Sequence, residues 1–306
     1  MSKPQLQLIW SLDAFSENQA ELKETVDFLK VLEKKNQLKI SPIYILSPKQ
    51  MDSTKGFSLA TAEHFAMAAE MNLREKLQKI DLKNIQPPEV IIEYRPSVQQ
   101  PIDRLAAMAK KNGKDFIILR TNARKGKDNI ELGSFTESLM IYTSTPLMVI
   151  NPQLKTPQQY KRIVFLTDFS PESKKSFKKI CQLALQLGLD VTIAHKLPDF
   201  SLPSAISKQA QQINIEKIKA HFESEKNQIQ QKSAKWIEDI KKQKIKGQLK
   251  WIEGSADLKD SILDFCNEQN ESYIAFALQS SKESTLPGSI TRHVMKSCQN
   301  PVLLVP

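Results

Sequence analysis

Two aspartates and two Gly-Ser steps are the residues of this 306-residue chain whose types and spacing could do chemistry. Asp13 follows the apolar run LIWSL and Asp168 follows IVFLT, while Gly133-Ser134 and Gly288-Ser289 each open a stretch of helical character. A carboxylate at a strand end can accept hydrogen bonds from a ligand. A Gly-Ser step opening a helix bares backbone N–H groups and the positive end of the helix dipole, which favour an anion. His195 ends another apolar run, VTIAH, and taken alone reads as a satisfied core residue. The histidines His64, His195, His221 and His293 show no metal-ligand spacing with one another or with the cysteines. There is no G-x-S-x-G, no Walker loop and no acid pair tied to a base, so no enzyme is expected. Cys181, Cys266 and Cys298 are widely spaced in apolar or helical surroundings, which suits reduced, buried thiols.

The elements that position these residues come in two copies. Asp13 answers to Asp168, Gly133-Ser134 to Gly288-Ser289, and Pro146 to Pro301, each pair 155 residues apart. Between the Gly-Ser step and the proline the copies read GSFTESLMIYTSTP and GSITRHVMKSCQNP, equal in length with Gly, Ser, Thr, Met and Pro at matched places. A repeat of this kind fixes the architecture before any single motif is weighed. Within each copy, short apolar runs alternate with longer segments of helical period, the pattern of a parallel sheet covered on both faces.

Strands are predicted over Leu6 to Leu12, Leu38 to Leu46, Val90 to Tyr94, Phe116 to Leu119 and Leu147 to Ile150. In the second copy they run over Arg162 to Thr167, Val191 to His195, Gln248 to Ile252, Tyr273 to Leu278 and Val302 to Val305. The fold class is α/β: two tandem five-stranded parallel-sheet, nucleotide-type domains at 1–150 and 160–306, with 151–159, which carries two prolines, as linker. Helices are predicted between the strands, among them a long one over Ser207 to Lys242 with Ile213, Ile215, Ile218, Phe222, Ile229 and Trp236 laid against the sheet. Asp13 and Asp168 then stand at the carboxyl end of each first strand, where open α/β sheets bind ligands. Ser170-Pro171 also reads as a helix cap followed by proline at the first helical position.

Composition narrows the function classes. Net charge is +10, but residues 1–155 hold 22 Lys and Arg against 18 Asp and Glu, and residues 156–306 hold 22 against 16. The excess is spread evenly and interleaved with acids, as on solvated helix faces, so nucleic acid is not an expected partner. No apolar stretch reaches the length of a membrane span, and the start MSKPQLQLIW lacks a signal core, so no membrane partner and a cytoplasmic location are expected.

The landmarks together resemble the universal stress protein family in its tandem form. The second copy carries Thr167-Asp168-Phe169-Ser170, VTIAH ending in His195, Trp251-Ile252-Glu253-Gly254 before a helix, then Gly288-Ser289 and Pro301-Val302-Leu303-Leu304-Val305. The first keeps Asp13, Phe15, Gly133, Ser134 and Pro146 but has Leu12 for the threonine and lacks the histidine. The resemblance implies a stress-adaptation protein, and in ATP-binding members an aspartate near adenine and ribose with a G-x2-G-x9-G-[ST] loop around the phosphates. Counting back from Gly133, this chain has Arg120 and Ala123 where the first two glycines belong; before Gly288 there is no further glycine and the segment is shorter.

Both loops therefore depart from the ATP pattern. Arg120, Arg124, Lys125 and Lys127, with Gly126 for flexibility, could still draw an anion to the first copy, whereas the second loop holds Lys282 against Glu283. The expected protein is non-catalytic, with no resident cofactor and at most weak ATP or other adenine nucleotide in the first domain. The alternatives are a nucleotide sensor acting on a protein partner, or an ATP hydrolase. The expected partners are the two halves for each other, as an intramolecular pseudo-dimer joined through their last strands, then a second copy as a homodimer, and a protein partner whose identity the sequence leaves open.

Overall fold

A computed structural model describes residues 4–16, 20–46, 59–92, 99–121, 134–196, 215–253, 257–278 and 288–306. Ten strands are described: β1 Gln5–Ser11, β2 Gln37–Leu46, β3 Glu89–Ile92, β4 Phe116–Arg120, β5 Leu147–Ile150, β6 Arg162–Leu166, β7 Asp190–Lys196, β8 Gly247–Ile252, β9 Ser272–Ala277 and β10 Val302–Val305. The helices among the described residues are α1 Ala20–Lys35, α2 Leu59–Gln78, α3 Gln99–Lys111, α4 Ser134–Tyr142, α5 Pro171–Leu187, α6 Ile215–Lys242, α7 Leu258–Glu268 and α8 Ser289–Ser297. Every expected strand is present.

The strands form one sheet in the order β3-β2-β1-β4-β5-β10-β9-β6-β7-β8. All neighbours are parallel except β5 and β10, which run antiparallel with Val302 opposite Val149, Leu303 opposite Met148 and Leu304 opposite Leu147. Each half is thus a five-stranded parallel sheet of the same order, and the halves meet at their last strands. The near-continuous apolar strands follow from burial on both faces. Leu6, Leu8, Trp10, Ile163 and Phe165 point into the core beneath α1, α2, α5 and α6. Ile9, Val164 and Leu166 point into the core beneath α3, α4, α7 and α8. Both cores cross the β5–β10 seam, with Met148, Ile150, Leu303 and Val305 on one face and Leu147, Val149, Val302 and Leu304 on the other.

Three aromatic rings brace the seam. Phe28 of α1 lies 5.7 Å from Tyr160 and 6.2 Å from Tyr273 of β9, and the two tyrosine rings are 4.3 Å apart. Polar groups cross it as well: Asp115 accepts from Gln7 N–H at 2.7 Å and from Gln186 Nε2 at 2.9 Å, and Asn151 Nδ2 donates to the carbonyls of Met295 and Lys296.

The long helix α6 departs from expectation along its length. Trp236 and Ile240 are buried, with Ile229 and Ile237 packed beside them, but Phe222 is not part of the core and residues 220, 221 and 223–225 are exposed. The sheet beneath is short, β8 having six residues, so a 28-residue helix outruns it and packs through its C-terminal portion. Ile213 lies outside the described residues, as do the side chains of Ile215 and Ile218.

Candidate functional site

The second half assembles a crevice at the carboxyl ends of β6, β7 and β9. β6 is this half's first strand, and its neighbours β7 and β9 lie on opposite sides, so the crevice sits at the switch in strand order, where open α/β sheets take ligands. Its volume is about 400 Å³, and Asp168, His195, Gly288 and Ser289 all line it, with Thr167, Ser173, Ala277, Ile252 and Ile262 among their neighbours.

The turn after β6 sets the aspartate. Thr167 N–H donates to Ala194 O at 3.1 Å, holding the strand end to β7. Phe169 N–H then donates to Thr167 Oγ1 at 2.9 Å, and Phe169 adopts a left-handed φ of 57°. A left-handed phenylalanine costs about 1 to 2 kcal/mol. Burial of its ring, 5.0 Å from Trp236 and 5.3 Å from His195, offsets that cost.

Asp168 Oδ1 accepts from Ser170 N–H at 3.0 Å and from Ser173 Oγ at 2.6 Å. Burial pushes this carboxyl up, but the bonds from Ser173 and Ser170 outweigh it and hold the group below its usual range. Ser170 in turn caps α5, accepting from Ser173 N–H at 3.1 Å, with Pro171 at the first helical position, so the cap and the aspartate share one turn.

His195 Nδ1 lies 2.6 Å from Thr167 O. A carbonyl can only accept, so Nδ1 carries the proton. Burial lowers the imidazole's affinity for a second proton, against the opposing pull of Thr167 O, Asp168 and Glu225. The neutral ring then offers Nε2 as an acceptor.

Helix α8 closes the other side. Gly288 is its N-cap with φ −57° and ψ 160°, and no side chain caps the helix. An added Cβ would meet nothing within 4 Å, so neither conformation nor crowding demands glycine. Its effect is to leave the first-turn N–H groups bare.

The first half repeats the turn but not the crevice chemistry. Asp13 Oδ1 accepts from Phe15 N–H at 3.0 Å, matching Asp168 and Ser170, and Leu12 N–H donates to Ile43 O at 3.0 Å as Thr167 does to Ala194. Tyr44 therefore stands in the place of His195. Lys76 Nζ donates to the carbonyls of Asp13, Ala14 and Ser16, at 3.2, 3.0 and 2.7 Å, occupying this loop with its own cation. Arg120, the last residue of β4, pairs with Glu24 of α1 at 3.3 Å. Ser134 is the first residue of α4; Ala123, Gly126 and Gly133 lie outside the described residues, as do Arg124, Lys125, Lys127, Lys282 and Glu283.

The sheet register supplies what glycine counting missed. Thr121 N–H donates to Ile150 O, and Leu278 N–H donates to Val305 O, so Ala277 is the counterpart of Arg120. One strand end carries a methyl group facing a crevice; the other carries a guanidinium held by α1. Ser173, the donor to Asp168, is legible in the sequence through its place three residues after a capping serine. Among the described residues no group of three or more His, Cys, Asp or Glu side chains could hold a metal, and no helix is long and apolar enough to cross a membrane.

A mostly parallel α/β sheet with a crevice at its switch point defines a fold of the nucleotide type. Residues 159–306 match the model of the Universal stress protein family, so the second half of the chain is a domain of that family. The fold of the full chain resembles that of a universal stress protein from Archaeoglobus fulgidus DSM 4304, at 15% identity and a TM-score of 0.58, over 98% of this chain and 95% of that one. A functionally unknown protein from Pseudomonas aeruginosa PAO1 matches at 13% identity and a TM-score of 0.51, over 98% and 92%. By sequence, no curated protein matches the chain.

Proposed function

We propose that this is a non-catalytic, cytoplasmic stress-adaptation protein whose second-half crevice takes the base and sugar of an adenine nucleotide weakly, and whose output is exerted through a protein partner. The observation that carries the reading is the convergence of Asp168, His195 and the α8 N-terminus on one opening of about 400 Å³, within the range of small-molecule sites. The donors and acceptors suit a nucleoside. Asp168 Oδ1 accepts from its own turn, and the carboxylate lines the crevice, where it can also accept from sugar hydroxyls. His195 Nε2 can accept from an amine, and Ile252 and Ile262 offer apolar surface to a base.

The residues fit a nucleoside with one phosphate at the α8 N-terminus better than a triphosphate, because Asp168 is ionised and the glycines that would let backbone approach a polyphosphate are missing. Without that electrostatic cradle, phosphoryl transfer lacks its main source of stabilisation. Residual anion binding in the first half depends on cations of the 122–133 loop. Arg120, the basic residue just before that segment, is already paired with Glu24.

Ala277→Arg tests the location. It copies Arg120 into the second half and fills the crevice from a strand end while leaving Asp168 and His195 in place. Adenosine binding measured by calorimetry should fall at least tenfold with the melting temperature little changed, and unchanged binding would place the site elsewhere.

A further inference from the structure

Cys266 lies on α7 one turn beyond Ile262, and Cys298 caps the C-terminal end of α8; both are fully buried. The chain leaving α8 is tied to that turn of α7. Gln299 N–H donates to Asn267 Oδ1 at 2.9 Å, Asn300 Nδ2 donates to Cys266 O at 2.8 Å, and Asn300 N–H donates to Cys298 Sγ at 3.4 Å. The two thiols meet, with the Cys266 S–H donating to Cys298 sulfur. Neither lines the crevice.

We propose that Cys266 and Cys298 form an oxidation site, at which hydrogen peroxide converts the pair to an intrachain disulfide joining α7 to α8. The Cys298 thiolate attacks one peroxide oxygen and the O–O bond breaks, giving a sulfenic acid and a hydroxide that leaves as water with a proton from the pair. The Cys266 sulfur then attacks Cys298 sulfur; the S–S bond forms, the S–O bond breaks, and a second water leaves with the remaining proton. Two thiols and one peroxide give one disulfide and two waters, the two electrons passing from sulfur to oxygen.

The environments of the two sulfurs assign the roles. The hydrogen bond from Cys266 holds Cys298 below the usual thiol range despite burial, with Asn300 N–H assisting. Burial, together with that donated bond, pushes Cys266 well up. Cys298 is therefore the attacking sulfur and Cys266 the resolving one. Access requires local opening of the last turn of α8, a helix of nine residues. Cys181 supplies an internal control: it is equally buried, its thiol is pushed up to about 12 by burial and next by Asp239, and it has no second cysteine beside it.

The test uses the reduced, full-length chain treated with hydrogen peroxide, followed by free-thiol titration and peptide mass mapping. Three titratable thiols should fall to one, with a Cys266–Cys298 linked peptide two hydrogens lighter than its reduced parts and full recovery on adding dithiothreitol. Cys266→Ser and Cys298→Ser should each abolish the link, and Cys181→Ser should leave it intact. The mapping of the unmutated chain stands even if a serine variant fails to fold. Loss of Cys181 at the same rate as the pair, or sulfinic Cys298 without the linked peptide, overturns the assignment.

Discussion

His195 shows how a single ring records its surroundings. Burial depresses its proton affinity in the folded chain, while in the unfolded chain it titrates near its ordinary value of about 6.5. The unfolded state then binds the proton more tightly, so this contribution to stability is complete above about pH 6.5 and is lost as pH falls toward the folded value. Asp168, with its affinity also depressed, keeps its contribution until the pH falls below about 3.8. Between about pH 7.5 and 5.5 the two therefore separate, and the loss over that window belongs to His195. His195→Asn retains an amide donor for Thr167 O and removes the titration. Its melting temperature should fall less across this window than that of the parent, and identical slopes would show that His195 is not held neutral.

Among the elements, α6 carries the clearest expectation. Its packed residues, Ile229, Trp236, Ile237 and Ile240, all lie in the second half of the helix, so amides from Ile229 to Ile240 should exchange far more slowly than those from Glu216 to Gln228. Uniform protection along α6 would mean that something covers its N-terminal half. The strand set was legible because each strand is a short apolar run bounded by turn residues, and the repeat offset of 155 confirmed it twice over. The burial limit of α6 was not legible, because isoleucines at helical spacing look alike whether or not a strand lies beneath them. In the site, Asp168, His195 and Gly288-Ser289 were readable from motif order. The part played by Ala277 was not, since it follows from hydrogen-bond register between strands and not from distance along the chain.

The two halves stand or fall together, because their cores are continuous across β5 and β10 and an exposed pair of apolar edge strands invites aggregation. Met148 and Leu304 are almost wholly buried at that seam, on opposite faces. Met148→Lys or Leu304→Lys places an unpaired charge there, and each should cost about 3 kcal/mol or more or yield aggregated protein. Unaltered melting and solubility in both would show that the seam does not hold the halves together. The same architecture presents a crevice of about 400 Å³ in one half and cation-filled strand ends in the other, with the first two glycines of a polyphosphate grip absent from their expected places in both. Calorimetric titration of the full chain with ATP and with adenosine, at physiological salt, decides whether that loss governs binding. The expected result is similar, weak affinity for both, nearer the millimolar value that corresponds to about −4 kcal/mol than the micromolar one near −8. Micromolar ATP binding, tighter than adenosine by tenfold or more, would contradict it by showing that the triphosphate is gripped after all.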